Sequence, residues 1–248
     1  INVNIDEKER LSNSLQSMGT TFIKLGQFLA TRPDIIGEDL SKQLETLQDK
    51  LPPFLLSEAK NIIKKSKNPI IISGGGVFYS DAMKELSEFA KKHNIPVTPT
   101  VMGIGCMTKD DPYYIGAIGC LGEGSSNSLS KDTDLALAIG TKLGDFTTGS
   151  WSNFQNEDFK LVSINTARFD VTKHLATPVI SDAKIGLLEL SKALGDWRAP
   201  NNWYERSIDE RKKWDSYVEK QSGPTNQELP SYAHAVGAVY RNADPSDI

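Results

Sequence analysis

Glycine is the residue type whose placement in this 248-residue chain could do chemistry. Gly74, Gly75 and Gly76 follow the apolar run Pro69-Ile70-Ile71-Ile72-Ser73, and Gly103 and Gly105 follow Ile95-Pro96-Val97-Thr98. Gly116, Gly119, Gly122 and Gly124 surround a third run, and Gly140 and Gly144 come after Leu135-Ala136-Leu137-Ala138-Ile139. If these runs are parallel strands, glycine just beyond their carboxyl ends lets backbone N–H groups and helix N-termini approach a phosphate. Glycine at four successive strand ends therefore points to a nucleotide crevice. The same residues also suit tight βα turns, and both readings stay open. The full dinucleotide fingerprint is missing. Gly74-Gly75-Gly76-Val77-Phe78-Tyr79 has no third glycine at the required spacing, and the region of Asn165 offers no acid for a ribose hydroxyl.

Other reactive patterns are not supported. His93, His174 and His234 are scattered without the acidic or cysteine spacing of a zinc site. His93 falls at the end of a helical pattern, where a cationic ring suits the helix dipole. Ser150, Ser152 and Asn153 lack the Gly-x-Ser-x-Gly elbow, and Asp110-Asp111-Pro112 reads as a turn. Cys106 and Cys120 form neither a disulfide framework nor a metal set, which favours a reducing cytoplasm, and Cys120 reads as a small buried hydrophobe. Trp197, Trp203, Trp214 and Tyr217 read as packing of a C-terminal arm. No catalytic residue and no metal ligand is assigned.

The elements that must carry the glycines alternate. Helical patterns over residues 57–67 (with Ser57 as cap), 80–93, 125–130 and 182–194 are interleaved with strand patterns at 69–73, 95–98, 134–139, 160–164 and 178–180. Their near-continuous Ile, Val and Leu content fits strands covered on both faces, and predicts an α/β Rossmann-like, doubly wound parallel sheet. Residues 203–220 read as a charged amphipathic helix closed by Gly223-Pro224, and 231–241 as one more. Residues 6–50 repeat Leu, Phe and Met at three- and four-residue steps, with stops at Arg32-Pro33-Asp34 and Pro52-Pro53, and predict an N-terminal helical segment without strands. Lys plus Arg number 28 against 32 Asp plus Glu, a net charge of −4, which excludes a nucleic-acid binder of the ordinary basic kind. The apolar runs are too short to span a bilayer. The start at Ile1 and the stop at Asp247-Ile248 are those expected of a piece of a longer polypeptide.

Residues 55–248 resemble the central domain, and the linker after it, of thiamine-diphosphate-dependent enzymes, and within these the carbon–carbon hydrolases of myo-inositol catabolism. The resemblance is carried by Pro69 to Val77, Gly116-Ala117-Ile118-Gly119, Gly140-Thr141-Lys142, Asp145-Phe146-Thr147-Thr148, Phe154-Gln155-Asn156, Ile164-Asn165, Phe169-Asp170 and Lys173-His174. It implies a three-domain homo-oligomeric parent that uses thiamine diphosphate and Mg²⁺. In flavin-containing relatives the middle domain holds FAD. The positions that match here are Gly74, Gly75, Gly76, Met102, Gly103, Gly119, Gly122, Gly140 and Lys142, which makes them candidates for binding FAD or an ADP-like ligand. The family's usual Arg is replaced by Lys142, and its ribose acids are absent near Asn165. The diphosphate motif Gly-Asp-Gly is absent as well; Gly144-Asp145-Phe146 and Gly195-Asp196-Trp197 come nearest.

Residues 13–54 resemble the N-terminal signature of UbiB-type atypical kinases, through Lys24-Leu25-Gly26-Gln27, Thr31-Arg32-Pro33-Asp34 and residues 47–54. In that family Lys24, Gly26 and Gln27 would belong to an extension over the nucleotide cleft, yet no kinase lobe follows. The alternative is that Lys24 and Gln27 are solvated residues of an amphipathic helix. The expected organisation is a helical leader over 1–54, a Rossmann-like domain over 55–198, and over 199–248 a helical linker toward a diphosphate-binding domain outside this sequence. The expected function is that of the central domain of a thiamine-diphosphate-dependent hydrolase, without turnover by the chain itself. Its rivals are a non-catalytic FAD- or ADP-binding module and a kinase-related interaction protein.

Overall fold

A computed structural model describes residues 20–49 and 56–244, together with residues 11, 14, 15, 17 and 18. Five short apolar runs form the strands β1 (Pro69–Ser73), β2 (Val97–Pro99), β3 (Leu135–Ile139), β4 (Lys160–Asn165) and β5 (Thr177–Ile180). They pair in the order β2-β1-β3-β4-β5, and every pair is parallel. Ile71 stands opposite Val97 on one side and Leu137 on the other, and Leu137 opposite Val162. Because successive side chains point to opposite faces, Ile71, Leu135, Leu137, Ile139, Val162 and Ile164 enter one core, while Ile70, Ile72, Ala136, Ala138 and Leu161 enter the other. Two covered faces explain why the strands read as unbroken apolar runs.

Three helices, α4 (Leu56–Lys65), α6 (Met83–His93) and α10 (Ala183–Leu194), cover the first face with Ile63, Leu86, Phe89, Leu187 and Leu190. The second face is covered by α7 (Gly124–Ser130) through Leu129 and by α11 (Asn201–Ser222) through Trp203. The Trp203 indole is 2% exposed and donates to the Pro69 carbonyl at 2.8 Å, so it packs α11 onto the sheet. This is the doubly wound α/β sheet the sequence predicts. Short helices α5 (Gly75–Tyr79), α8 (Asp145–Thr148) and α9 (Arg168–Val171) and 3-10 turns at Val101–Gly103 and Lys173–Leu175 complete it, and α12 (Tyr232–Asn242) follows α11.

Several expectations change. Ser57 lies inside α4 instead of capping it. The helix expected over residues 80–93 is α6 and starts at Met83, because Asp81 takes a left-handed φ of 49° and separates it from the short α5, which was not expected. The run enclosed by Gly116 to Gly124 is not a strand; only Tyr114 bridges to Val97, since Gly116 and Gly119, at φ +97° and +111°, bend the chain away from extension. Cys120 is exposed, while Cys106 is the buried thiol, and burial pushes its pKa up. His93 is fully buried, so it cannot be the solvated cation expected at a helix end.

The helical leader forms α1 (Thr20–Ala30), α2 (Pro33–Ile36) and α3 (Glu38–Asp49). Leu15, Ala30 and Leu44 make a small core of their own, and the Ser41 hydroxyl donates to the Ala30 carbonyl at 2.6 Å. Lys24 and Gln27 lie on α1, but their side chains are outside the described residues, as are residues 50–55 of the kinase-like signature. Among the described residues no helix is long and apolar enough to cross a membrane.

Candidate functional site

From β1 the chain crosses to β2 on one side, and from β3 it proceeds to β4 on the other, so the sheet order reverses between β1 and β3. In open parallel sheets the space outside the carboxyl ends of two such strands is where ligands bind. A crevice of about 320 Å³ lies there. Its floor is Gly75 and Gly140, one wall is Thr100, Val101 and Met102 after β2, and the other is Thr141, Lys142, Gly144, Phe146 and Thr147 after β3; Leu121 closes the rim.

The backbone at the floor is tightly interlocked. Gly74 N donates to the Ile139 carbonyl at 2.8 Å and Gly76 N to the Gly140 carbonyl at 3.0 Å. A Cβ on Gly76 would stand 2.6 Å from the Gly140 Cα, and Gly140 itself has φ +61°. Of the nine candidate cofactor-binding residues, Gly75, Met102, Gly140 and Lys142 line the crevice. Gly74, Gly76, Gly103, Gly119 and Gly122 lie behind it, each in close contact with backbone: Gly103 against the Ser73 carbonyl, Gly119 against that of Phe146, and Gly122 against that of Ala117. The structure thus gathers four of the nine at one opening and uses the other five to bring turns together. Phe146 and Thr147 were not singled out as site residues. Their signal was the Asp145-Phe146-Thr147-Thr148 run, which forms the short α8 and leaves Phe146 exposed.

The crevice is poor in charge. Lys142 is its one cation, beside the hydroxyls of Thr100, Thr141 and Thr147, and exposed Val101, Met102, Leu121 and Phe146 give it an apolar rim. Asn165, where an acid would suit a ribose, instead donates its amide to the Thr141 carbonyl at 3.3 Å and steadies the wall. Behind the rim, Glu123 Oε1 accepts from Ala117 N and Tyr114 OH, both at 3.2 Å, and Oε2 pairs with Arg211 at 2.9 Å. Burial, then the Glu123 charge, push the Tyr114 phenol up to about 12. This network ties α11 to the loop that bears Leu121.

The Mg²⁺ that accompanies thiamine diphosphate has no acidic set to hold it among the described residues. Among the described residues no three His, Cys, Asp or Glu side chains come together as a metal site. Asp145 opens α8 and Asp196 follows α10, so neither near-match of the diphosphate motif joins an acidic set.

Fold and site together define a Rossmann-like, doubly wound domain with a crevice at its switch point and, among the described residues that line it, no acid–base or nucleophilic set. Residues 56–190 match the family described as the thiamine pyrophosphate enzyme, central domain, and the chain belongs to that family. Similar curated proteins include the 3D-(3,5/4)-trihydroxycyclohexane-1,2-dione hydrolase of Bacillus anthracis, 32% identical over 211 residues that make up 79% of this chain and 33% of that protein. The hydrolase of the same name from Bacillus cereus is 34% identical over 72% of this chain and 28% of its own length. That of Clostridium botulinum is 45% identical over 55% of this chain and 21% of its own length. The chain thus spans no more than about a third of the length of the curated relatives it matches.

Proposed function

We propose that the chain serves as the central domain of a thiamine-diphosphate-dependent carbon–carbon hydrolase that opens the ring of a trihydroxycyclohexanedione, and that it does not turn over by itself. The observation that carries this reading is the match to hydrolases of that printed name over 79% of the chain. Further support comes from α12, whose Tyr232, Val236, Val239 and Tyr240 form an exposed apolar stripe. Such a stripe suits packing against a further domain, and residues 199–248 would be the linker to it.

The domain exchange tests the reading: residues 56–198 of this chain replace the corresponding segment of the Bacillus anthracis hydrolase. Ring opening in the presence of thiamine diphosphate and Mg²⁺ should persist within about tenfold, a change of about 1.4 kcal/mol in the barrier. A folded chimaera without activity would reject it, and ring opening by the present chain alone would reject the claim of no turnover.

A second reading is favoured by the position of the crevice and by Lys142: a module that holds FAD or an ADP-like group without catalysis. Saturable quenching of flavin fluorescence on titration with FAD, lost in Lys142→Glu, is its expected signature. For the leader, Met18, Phe22, Leu25 and Phe28 are exposed, which supports an interaction role for the kinase-like segment.

A further inference from the structure

Seven non-glycine residues among those described have positive φ, and five of them belong to one small region: Leu143 (48°), Ser150 (52°), Trp151 (67°), His174 (59°) and Leu175 (58°). Left-handed backbone is costly for bulky side chains such as Leu and Trp, of order 1–3 kcal/mol each, and persists only where the surroundings over-determine it. The five come from two separate stretches of chain, and His174 joins them. Its Nε2 lies 3.0 Å from the Leu143 carbonyl oxygen, and its ring meets the Trp151 indole at 4.5 Å between centroids. Trp151 is in turn anchored: its ring packs on the second core beside Phe154, and its backbone N–H donates to Thr148 Oγ1 at 3.3 Å.

What this knot encloses is the crevice wall. Leu143 follows Lys142 directly, and the loop between Leu143 and Ser150 carries Gly144, Phe146 and Thr147. A carbonyl oxygen only accepts, so the His174 Nε2 must carry a proton, and the bond pins the wall to the β4–β5 connection. Leu175 beside it is exposed, as are Phe146 and Phe169, so the latch sits at the surface, while the Leu143 side chain stays anchored in the second core.

We propose that His174 is a positioning residue, a latch that holds the loop from Thr141 to Ser150 against the β4–β5 connection and so sets the shape of the crevice at the switch point. Stored left-handed strain in the loop drives it open when the latch is released. The proposal does not depend on the hydrolase reading or on any ligand, and its test uses neither.

Hydrogen exchange on the full chain reads the latch directly. His174→Asn keeps a side chain that tolerates left-handed backbone but ends too short to reach the Leu143 carbonyl. It should raise amide exchange over residues 143–150 about tenfold, the scale of one lost hydrogen bond, with exchange in β1, β3 and β4 and the urea midpoint unchanged. His174→Gln, whose amide nitrogen can occupy the place of Nε2, should restore slow exchange over residues 143–150. His174→Gly removes the side chain while relieving the backbone, so it provides the same readout should the Asn variant fold poorly. Unchanged exchange over 143–150 in folded Asn or Gly variants, or acceleration spread evenly over the sheet, would overturn the latch.

Discussion

At the end of α6, His93 Nδ1 lies 2.7 Å from the Trp197 carbonyl oxygen, an acceptor only, so Nδ1 carries the proton; Nε2 lies 3.1 Å from the Ser191 hydroxyl and can accept from it. Burial holds the pKa of this ring below its ordinary value, against the raising effect of the Trp197 carbonyl. The folded protein therefore binds this proton less readily than the unfolded chain, and stability is fully present above the unfolded value of about 6.5 and falls as pH drops through it toward the depressed folded value. Urea midpoints should decline as pH falls below about 6.5, and His93→Asn, which can keep a donor toward Trp197, should show a flatter profile there. The sequence shows a histidine at a helix end. It does not show that Ser191 and Trp197, about a hundred residues later, close over it, and burial turned the expected cation into a neutral ring. The floor glycines were legible in position, but not the contact that needs them. Gly140→Ala should cost about 3 kcal/mol, because φ +61° and a Gly76 Cα 2.6 Å from the new Cβ leave no room. Gly144→Ala, in open space on the same wall, should stay within about 0.5 kcal/mol in the same urea series.

Among the elements, the five strands could be read from sequence because a strand buried on both faces must be apolar at every position. The α5 helix could not, since Gly75-Gly76-Val77-Phe78-Tyr79 has no helical periodicity and opens with two poor helix formers. Residues 113–118 deceived in the other direction. Val97 N donates to the Tyr113 carbonyl, Ile115 N to that of Val97 and Ile118 N to that of Pro99, so this run covers the free edge of β2 as a strand would, but its left-handed glycines prevent a regular ladder. What secures that cover is not local. Glu123, at the start of α7, receives Ala117 N and Tyr114 OH and is neutralised by Arg211 from α11, which also pairs with Asp215. Truncation of Arg211 to Met would leave a largely enclosed carboxylate without its cation and should cost roughly 2–3 kcal/mol. Glu123→Gln in the same background should recover part of that loss, and a double-mutant cycle in urea measures the coupling. If the two substitutions add, Glu123 and Arg211 are not coupled, and α11 is held by its other contacts, among them the Trp203 indole, Tyr204 on Tyr113 and the Arg206–Asp132 pair.

Over the whole molecule, the sequence separated the leader from the sheet domain by a change of period near residue 54, and the family match begins at residue 56. The crevice itself was only half legible: the glycines mark the strand ends, whereas its rim is assembled from Met102, Leu121 and Phe146, which no local pattern groups together. Among the described residues three hydrophobic cores form. Two share the sheet as a common wall and are coupled through β1, β3 and β4, while the third, built on Leu15, Ala30 and Leu44, belongs to the leader. Its helices meet the domain where α3 touches α9, beside the His174 latch. Elements that share no core contribute nearly independently to stability, so removal of residues 1–54 should leave the urea-unfolding free energy of the remaining chain within about 1 kcal/mol of that of the same domain in the full protein. Exchange over residues 143–150 is the more sensitive readout, because α9 leads directly into the turn that carries His174. A loss above about 2 kcal/mol would instead make the leader an integral layer of the fold, since a loss of that size requires buried contacts beyond those between α3 and α9.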